Sequence, residues 1–148
     1  MSSYINAALR RLVARRADYL CEYCLIHEED AFFGCEVDHI ISEKHGGQTE
    51  ADNLAYACAF CNRAKGSDIG SIGQRTGVLS RFFNPRTDRW AEHFALDGVT
   101  LVALSDIGEV TARILDFNSS ERLLERQTLQ AIGRYPSAAA LARLARRT

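Results

Sequence analysis

Four of the five cysteines form two identical pairs, Cys21 with Cys24 and Cys58 with Cys61, and two residues separate the members of each pair. A C-x2-C turn directs two thiolates toward one point, and two such turns complete the tetrahedral site that Zn²⁺ prefers. Because four thiolates leave no open coordination position, a zinc ion held there is structural rather than catalytic. The long spacer, residues 25–57, costs little, since loop-closure entropy rises by only ~0.6 kcal/mol per doubling of length. The spacing predicts one structural zinc site; the alternative is four unrelated buried thiols.

An Asp-His dipeptide, Asp38-His39, lies in a short apolar segment between the two cysteine pairs. Such a dipeptide alone is weak evidence for chemistry, because many lie on protein surfaces. From residue 21 to about residue 68, however, the chain carries in order the motifs CEYC, EVDHI, HGG, DNL and CAFCNRAKG. In order and spacing these motifs resemble the HNH endonucleases, a family with a ββα-metal motif, in the form that also carries a four-cysteine zinc site. The third motif position, often His in that family, is Asn62 here.

The resemblance implies a metal-dependent DNA endonuclease and a role for each motif residue. His39 would be the general base that takes a proton from the attacking water, a task that suits an imidazole at neutral pH. Asp38 and Asn62 would hold one divalent cation, and their oxygen atoms suit Mg²⁺ or Mn²⁺ rather than zinc. That cation would neutralise charge on the leaving 3′ oxygen. Asn53 would brace the loop between the strands so that His39 points correctly.

One feature of the Asp38-His39 pair leaves two arrangements open. Neighbouring residues of a regular strand point to opposite faces of the sheet. Either the strand bends at this pair, or the cation and the attacking water lie at the end of the strand.

Three further residues are candidate contacts to DNA, which we expect to be double-stranded from the resemblance. Lys65 lies three residues after Asn62, on nearly the same side of a helix, where it could meet a phosphate. Arg63 lies between them, and His45 stands beside the glycine pair where family members often carry His. The three candidates are therefore His45, Arg63 and Lys65.

Both ends of the chain are rich in arginine, although the net charge of the whole chain is only −1. A near-neutral balance argues against a general nucleic-acid binder. Local basic faces could still contact phosphates, or they could be the solvated sides of amphipathic helices. The residues concerned are Arg10, Arg11, Arg15 and Arg16 near the start and Arg134, Arg143, Arg146 and Arg147 near the end.

The elements that would position these residues follow an α+β pattern. Apolar residues at helical spacing predict an N-terminal helix over residues 5–17. Residues 35–41, rich in β-branched side chains, and residues 54–57 predict two short strands. Residues 59–65 suit one or two helical turns. We therefore expect residues 1–77 to form the HNH nuclease domain with its zinc site.

Residues 78–148 carry no catalytic motif and are expected to form a C-terminal α/β extension that packs on the zinc unit. A more specific alternative is that this extension positions DNA or mediates dimerisation. Apolar runs and serine and glycine boundaries predict a β-hairpin followed by two helices. The predicted elements are strands at 99–104 and 110–117 and helices at 119–132 and from 136 onward.

The composition is ordinary for a globular protein, with 47% hydrophobic and 25% charged residues in a chain of 148. This length suits one domain, or one domain with a small appendage. No run approaches the ~20 apolar residues of a membrane span, and the first residues lack the apolar stretch of a secretory signal. We therefore expect a cytoplasmic protein with no membrane partner, whose cysteines bind metal rather than form disulfides.

A rival interpretation is a non-catalytic zinc module that binds nucleic acid or a protein partner. The near-neutral charge favours it mildly. The set of Asp38, His39, Asn53 and Asn62 argues against it more strongly, because a binding module needs neither a base nor oxygen ligands at these spacings. A second metal site at Asp38 and Asn62, distinct from the cysteines, would discriminate the two.

Overall fold

Six short helices and three two-stranded antiparallel sheets make up residues 4–145, the range that the computed structural model describes. The α+β class predicted from the sequence is confirmed. In chain order the elements are α1 (Ala7–Arg16), β1 (Cys35–His39), β2 (Leu54–Cys58), α2 (Ala59–Lys65), β3 (Gly70–Ile72), β4 (Leu79–Arg81), α3 (Trp90–His93), β5 (Phe94–Asp97), β6 (Thr100–Ala103), α4 (Asp106–Ile114), α5 (Ser120–Ala131) and α6 (Ala138–Ala145). No helix in this range is long and apolar enough to cross a membrane.

The predicted ββα unit is formed by β1, β2 and α2. The two strands pair with Cys35 opposite Cys58 and His39 opposite Leu54. Cys58 ends β2 and caps α2, because its Sγ accepts a hydrogen bond from the backbone N–H of Cys61. One residue thus belongs to the strand end, the helix cap and the cysteine cluster at once.

The two faces of the β1–β2 sheet pack against different parts of the chain. Val13 of α1 packs with Leu54 and Tyr56 on one face. The other face contributes Ala55 and Ala57 to the main core, which extends into the aromatic residues of the C-terminal half. The aromatic residues of that half in the main core are Phe82, Phe83, Trp90, Phe94 and Phe117. The extension predicted for residues 78–148 therefore shares a core with the zinc unit, while the boundary at residue 77 stays a prediction.

The hairpin of the C-terminal half lies elsewhere than predicted. It pairs β5 with β6 through a two-residue turn that begins at Gly98, whose φ is +62°. Residues 110–117, predicted as the second strand, mostly belong to α4 instead. Ser105 caps this helix by accepting a hydrogen bond from Gly108 N at 2.9 Å. A Cβ at Gly108 would lie 2.2 Å from the His93 carbonyl oxygen, so the helix packs closely on α3. Periodicity alone cannot separate a short buried helix from a buried strand.

Candidate active site and metal centre

The four paired cysteines converge at one buried point, as predicted. Their Sγ atoms all lie within 4.8 Å of one another, and the Cys24 and Cys58 sulfurs are 3.7 Å apart. A tetrahedral ion with Zn–S bonds of about 2.3 Å needs sulfurs about 3.8 Å apart, so the cluster has the dimensions of a zinc site. The N–H groups of Cys24 and Cys61 donate to the Cys21 and Cys58 sulfurs at 3.4 and 3.5 Å.

The protonation of these thiols explains why the cluster needs a cation. Burial raises the pKa of the Cys21 and Cys61 thiols well above the ordinary range. Hydrogen bonds from the neighbouring thiols lower the pKa of Cys24. Burial therefore disfavours the thiolate forms of Cys21 and Cys61 when no cation is bound. A zinc ion binds deprotonated sulfur, and its binding energy supports the folded state.

A shallow cleft brings together the predicted general base and the two predicted ligands of the catalytic ion. Asp38, His39 and Asn62 all border it, with Glu43 and Lys44 along its rim. Strand β1 ends at His39, so the cleft lies at the end of the strand, where side chains of both sheet faces can reach it. The position of the cation and the attacking water at this end of the strand stays a prediction.

Asp38 is held in a buried ion pair with Lys65, and the two residues are 6% and 1% exposed. Lys65 Nζ lies 3.1 Å from Asp38 Oδ2 and donates to the His39 carbonyl oxygen at 2.9 Å. The Tyr23 hydroxyl also donates to Asp38 Oδ2, at 3.3 Å. Burial raises the pKa of Asp38, and the Lys65 charge and the hydrogen bonds from Lys65 and Tyr23 offset part of that rise.

The structure thus corrects the predicted phosphate contact of Lys65. Its ammonium group faces the protein interior, not the solvent. Positions 62 and 65 share the helix face that packs on β1, and the long lysine side chain reaches across to Asp38. Its contacts give Lys65 a structural role at the base of the site.

We expect Lys65→Met to destabilise the fold by about 3–5 kcal/mol, because it leaves the Asp38 carboxylate buried without its charged partner and with the Tyr23 hydroxyl alone to compensate it. Urea unfolding followed by circular dichroism measures this change. Asp38→Asn combined with Lys65→Met removes both charges and should recover part of the loss. Arg63→Ala, at an exposed position, is the control and should change stability by no more than about 0.5 kcal/mol. Weakened DNA binding by Lys65→Met at unchanged stability would contradict the structural role.

His39 is positioned by two residues that the sequence analysis did not identify. Its Nε2 lies 2.9 Å from Thr49 Oγ1 and 3.9 Å from a carboxylate oxygen of Glu43. Within residues 4–145 the bond to Thr49 is the only hydrogen bond of the ring. The tautomer of the ring decides which partner donates in the bond to Thr49 and which ring nitrogen can accept a proton. Glu43 begins the 3-10 turn that follows β1, and no motif in the sequence marks it or Thr49 as a partner of His39.

Asn53 closes the loop that follows His39. Its Oδ1 accepts from Ile41 N, and its Nδ2 donates to the carbonyl oxygens of Ile41 and Gln48, all at 2.9 Å. Gly47 packs so closely here that a Cβ would lie 1.7 Å from the Ile41 oxygen. Asn53 thus joins residues 41 and 48 through three side-chain bonds to backbone groups, and its effect on the orientation of His39 stays a prediction.

We expect Asn53→Ala to lower the free energy of unfolding by about 1–3 kcal/mol, because it leaves backbone groups of the loop without partners. Differential scanning calorimetry should show a fall of several degrees in Tm. The control is Gln48→Ala, which removes only a long 3.4 Å side-chain bond to the Gly46 carbonyl. Equal Tm values for the two variants would rule out the brace.

Asn62 faces β1 and contacts Glu36, another residue not identified from the sequence. Asn62 Nδ2 donates to Glu36 Oε2 at 2.7 Å. Glu36 and Asp38 occupy alternate positions of β1 and therefore share one face of the strand. Two carboxylates and an amide thus lie along the side of β1 that faces α2. Oxygen donors of this kind suit Mg²⁺ or Mn²⁺.

The remaining candidate DNA contacts lie on the surface at different places. His45 is exposed and ends the short 3-10 turn Glu43–His45 beside the cleft. Lys44, from the same turn, borders the cleft itself. Arg63 is exposed on α2 but borders a separate groove with Leu115. Among the described residues, those that border the cleft include Lys44 but not His45, and Arg63 borders the separate groove.

Several arginines near the chain ends bind the protein itself. Arg16 donates to the Leu54 carbonyl oxygen, and Arg134 donates to Asp30 at 2.6 Å. Arg143 donates to the Arg16 carbonyl oxygen at 3.0 Å. These side chains are committed to structural contacts. The arginines exposed on α1 are Arg10, Arg11 and Arg15, whereas Arg146 and Arg147 lie outside the described residues.

Comparison with known protein families identifies one segment of the chain. Residues 21–68 match the family model described as HNH endonuclease. Neither a curated protein nor a solved structure matches the chain. The matched segment begins at the first clustered cysteine and contains every residue predicted for the metal and catalytic sites. The match supports a nuclease-type function in general terms. Residues 21–68, which carry the four-cysteine cluster and the ββα unit, are therefore the part of this protein that is similar to the HNH endonuclease family.

Proposed function

We propose that this protein is a metal-dependent endonuclease that hydrolyses phosphodiester bonds of DNA. One observation carries the proposal: Asp38, His39 and Asn62 border a single open cleft within the segment that matches the HNH family. The cleft is separate from the cysteine cluster, so structural and catalytic metal chemistry would occupy different places.

His39 is the general base of this proposal. Its Nδ1 takes the proton of the attacking water, since Nε2 is engaged by Thr49. The Glu43 carboxylate, 3.9 Å from Nε2, stabilises the imidazolium that forms. A positioned base of this kind contributes roughly 10²–10⁴-fold to rate.

Asp38 and Asn62 are the proposed ligands of one Mg²⁺ or Mn²⁺ ion. When bound, such an ion supplies a Lewis acid that stabilises charge on the scissile phosphate and the leaving 3′ oxygen. Lys65 and Tyr23 hold the Asp38 carboxylate in place, so its orientation does not depend on the substrate. Glu36 holds the Asn62 amide through Nδ2, which leaves the amide oxygen as the ligand atom.

The proposed substrate is double-stranded DNA, bound by basic residues around the cleft. Lys44 borders the cleft and His45 follows it in the same turn, so both are proposed contacts to the phosphates that flank the scissile bond. Arg63 and the exposed arginines of α1 would contact phosphates farther along the duplex. Contacts to phosphates hold the DNA backbone and do not depend on the base sequence.

Conversion of supercoiled plasmid tests the proposal. Purified protein should nick or linearise the plasmid with Mg²⁺ or Mn²⁺, and EDTA at concentrations that leave the structural zinc in place should stop the reaction. Asn62→Ala should be slower by roughly 10²-fold or more, because a ligand of the catalytic ion is lost. Gln127→Ala, at an exposed position on α5, is the matched control and should cleave like the wild type.

Cleavage that persists in EDTA, or equal rates for Asn62→Ala and the control, would contradict the proposal. No cleavage by the folded, zinc-loaded wild type would favour the alternative, a non-catalytic zinc module that binds nucleic acid or a protein partner.

A further inference from the structure

Arg122, from helix α5 in the C-terminal half, lies against the sulfur cluster. Its Nη2 is 3.3 Å from Cys61 Sγ and 3.8 Å from Cys58 Sγ. The residue is only 4% exposed. It also lies well outside residues 21–68, the segment that matches the HNH family. A cation from another part of the chain therefore contacts the metal site directly.

The guanidinium is fixed on its other sides by uncharged groups. Nη1 donates to the Leu115 carbonyl oxygen at 3.3 Å, and the Phe60 ring centre lies 5.4 Å from the guanidinium carbon. No carboxylate of residues 4–145 forms an ion pair with it. A buried cation without a counter-charge is costly. The Glu125 carboxylate on the same helix interacts with this charge at longer range, and the sulfurs of Cys58 and Cys61 lie within hydrogen-bond distance of it.

The charge of a four-thiolate zinc site explains what the guanidinium contributes. Four thiolates outweigh the two positive charges of Zn²⁺, so the loaded site carries a net charge of about −2 in a buried position. Arg122 offsets part of this charge. Its N–H groups also hold the second cysteine pair in place, and such outer contacts tune the affinity of metal sites.

We propose that Arg122 is a positioning residue of the zinc site, through which the C-terminal segment slows loss of the ion. The inference rests on the cysteine cluster and is independent of the proposed nuclease activity. Two further contacts from the same segment support it. The Tyr135 hydroxyl donates to the Cys24 carbonyl oxygen at 2.9 Å, and Trp90 Nε1 donates to the Tyr23 carbonyl oxygen at 2.8 Å. The C-terminal half, through Trp90, Arg122 and Tyr135, thus contacts the turns of both cysteine pairs.

Zinc release from the full chain into a chromogenic chelator tests this role. Arg122→Met should release zinc about tenfold faster or more than the wild type, because loss of an outer contact typically costs 10–100-fold in metal affinity. Arg122→Lys keeps the charge and should release zinc at an intermediate rate. Arg126→Met is the matched control. Arg126 lies one turn further along α5, is equally buried, and donates to the carbonyl oxygens of Val99 and Phe117 rather than to sulfur.

A spectroscopic measurement separates a direct effect on sulfur from a loosened fold. In protein loaded with Co²⁺, Arg122→Met should shift the sulfur-to-cobalt charge-transfer band to lower energy, and Arg126→Met should leave it in place. Equal release rates and unshifted bands for both variants would overturn the inference, since Arg122 would then act only through packing. If Arg122→Met does not fold, Arg122→Lys provides the test. A zinc release rate and a charge-transfer band equal to those of the wild type would then overturn the inference.

Discussion

His39→Ala is expected to slow plasmid cleavage by about 10²–10⁴-fold, the contribution of a positioned general base. The fold and the zinc content should stay intact, because the imidazole lies at the cleft and makes one hydrogen bond, to Thr49. The measurement is the initial rate of loss of supercoiled plasmid with saturating Mg²⁺ or Mn²⁺. Zinc content and circular dichroism are recorded on the same samples.

His27→Ala is the matched control for this experiment. His27 lies in the loop after the first cysteine pair, and its Nδ1 accepts a hydrogen bond from Glu29 N at 3.1 Å. The control should cleave like the wild type. A rate for His39→Ala equal to that of the control would remove His39 as the base and would point to a contaminating nuclease.

Thr49→Val extends the same test to the orientation of the ring. It removes the hydroxyl 2.9 Å from His39 Nε2 while keeping the shape of the side chain. We expect a smaller loss of activity than with His39→Ala, because the base remains but its ring is less well oriented. Activity equal to the wild type would show that Glu43 alone is sufficient to orient the imidazole.

Removal of the zinc ion is expected to unfold most of the protein. The four sulfurs belong to the main core, and Cys58 also caps α2. Structural zinc contributes on the order of 10–16 kcal/mol of apparent binding energy, whereas whole domains are stable by only about 5–15 kcal/mol. Cys58→Ser, or a strong zinc chelator, should therefore abolish the cooperative thermal transition seen by circular dichroism.

Cys35→Ser is the control for the cysteine variant. Cys35 is half-buried in β1 and lies outside the four-sulfur cluster. It should keep one zinc per chain by elemental analysis and a native melting curve. A Cys58→Ser protein that retains the native spectrum and a cooperative transition would show that the metal is not needed for folding.

The sequence alone determined those parts of the protein that depend on residues close together in the chain. Each C-x2-C pair is a local turn, so two thiolates per pair point together whatever the rest of the fold does. The ββα order likewise followed from short-range patterning, and α2 begins and ends where residues 59–65 predicted. These features depend on local geometry, which the spacing of residues along the chain can predict.

The tertiary structure decided which partner each of these elements meets. The spacing of Asn62 and Lys65 placed both on one helix face, but only the packing of α2 on β1 directs Lys65 to Asp38 rather than to a phosphate. Thr49 meets His39 because the loop closed by Asn53 brings it back to β1. Periodicity shows which way a side chain points from its own element, not what lies opposite.

The C-terminal half shows most clearly that a sequence pattern does not reveal which residues an element contacts. The run at residues 110–117 fits either a strand or a helix by its apolar pattern, and contacts with α3 select the helix. Arg122 belongs to an ordinary amphipathic helix in the sequence, yet it lies against the Cys58 and Cys61 sulfurs. Contacts between residues so far apart arise only when the whole core assembles. The sequence pattern of one helix or strand therefore cannot predict such contacts.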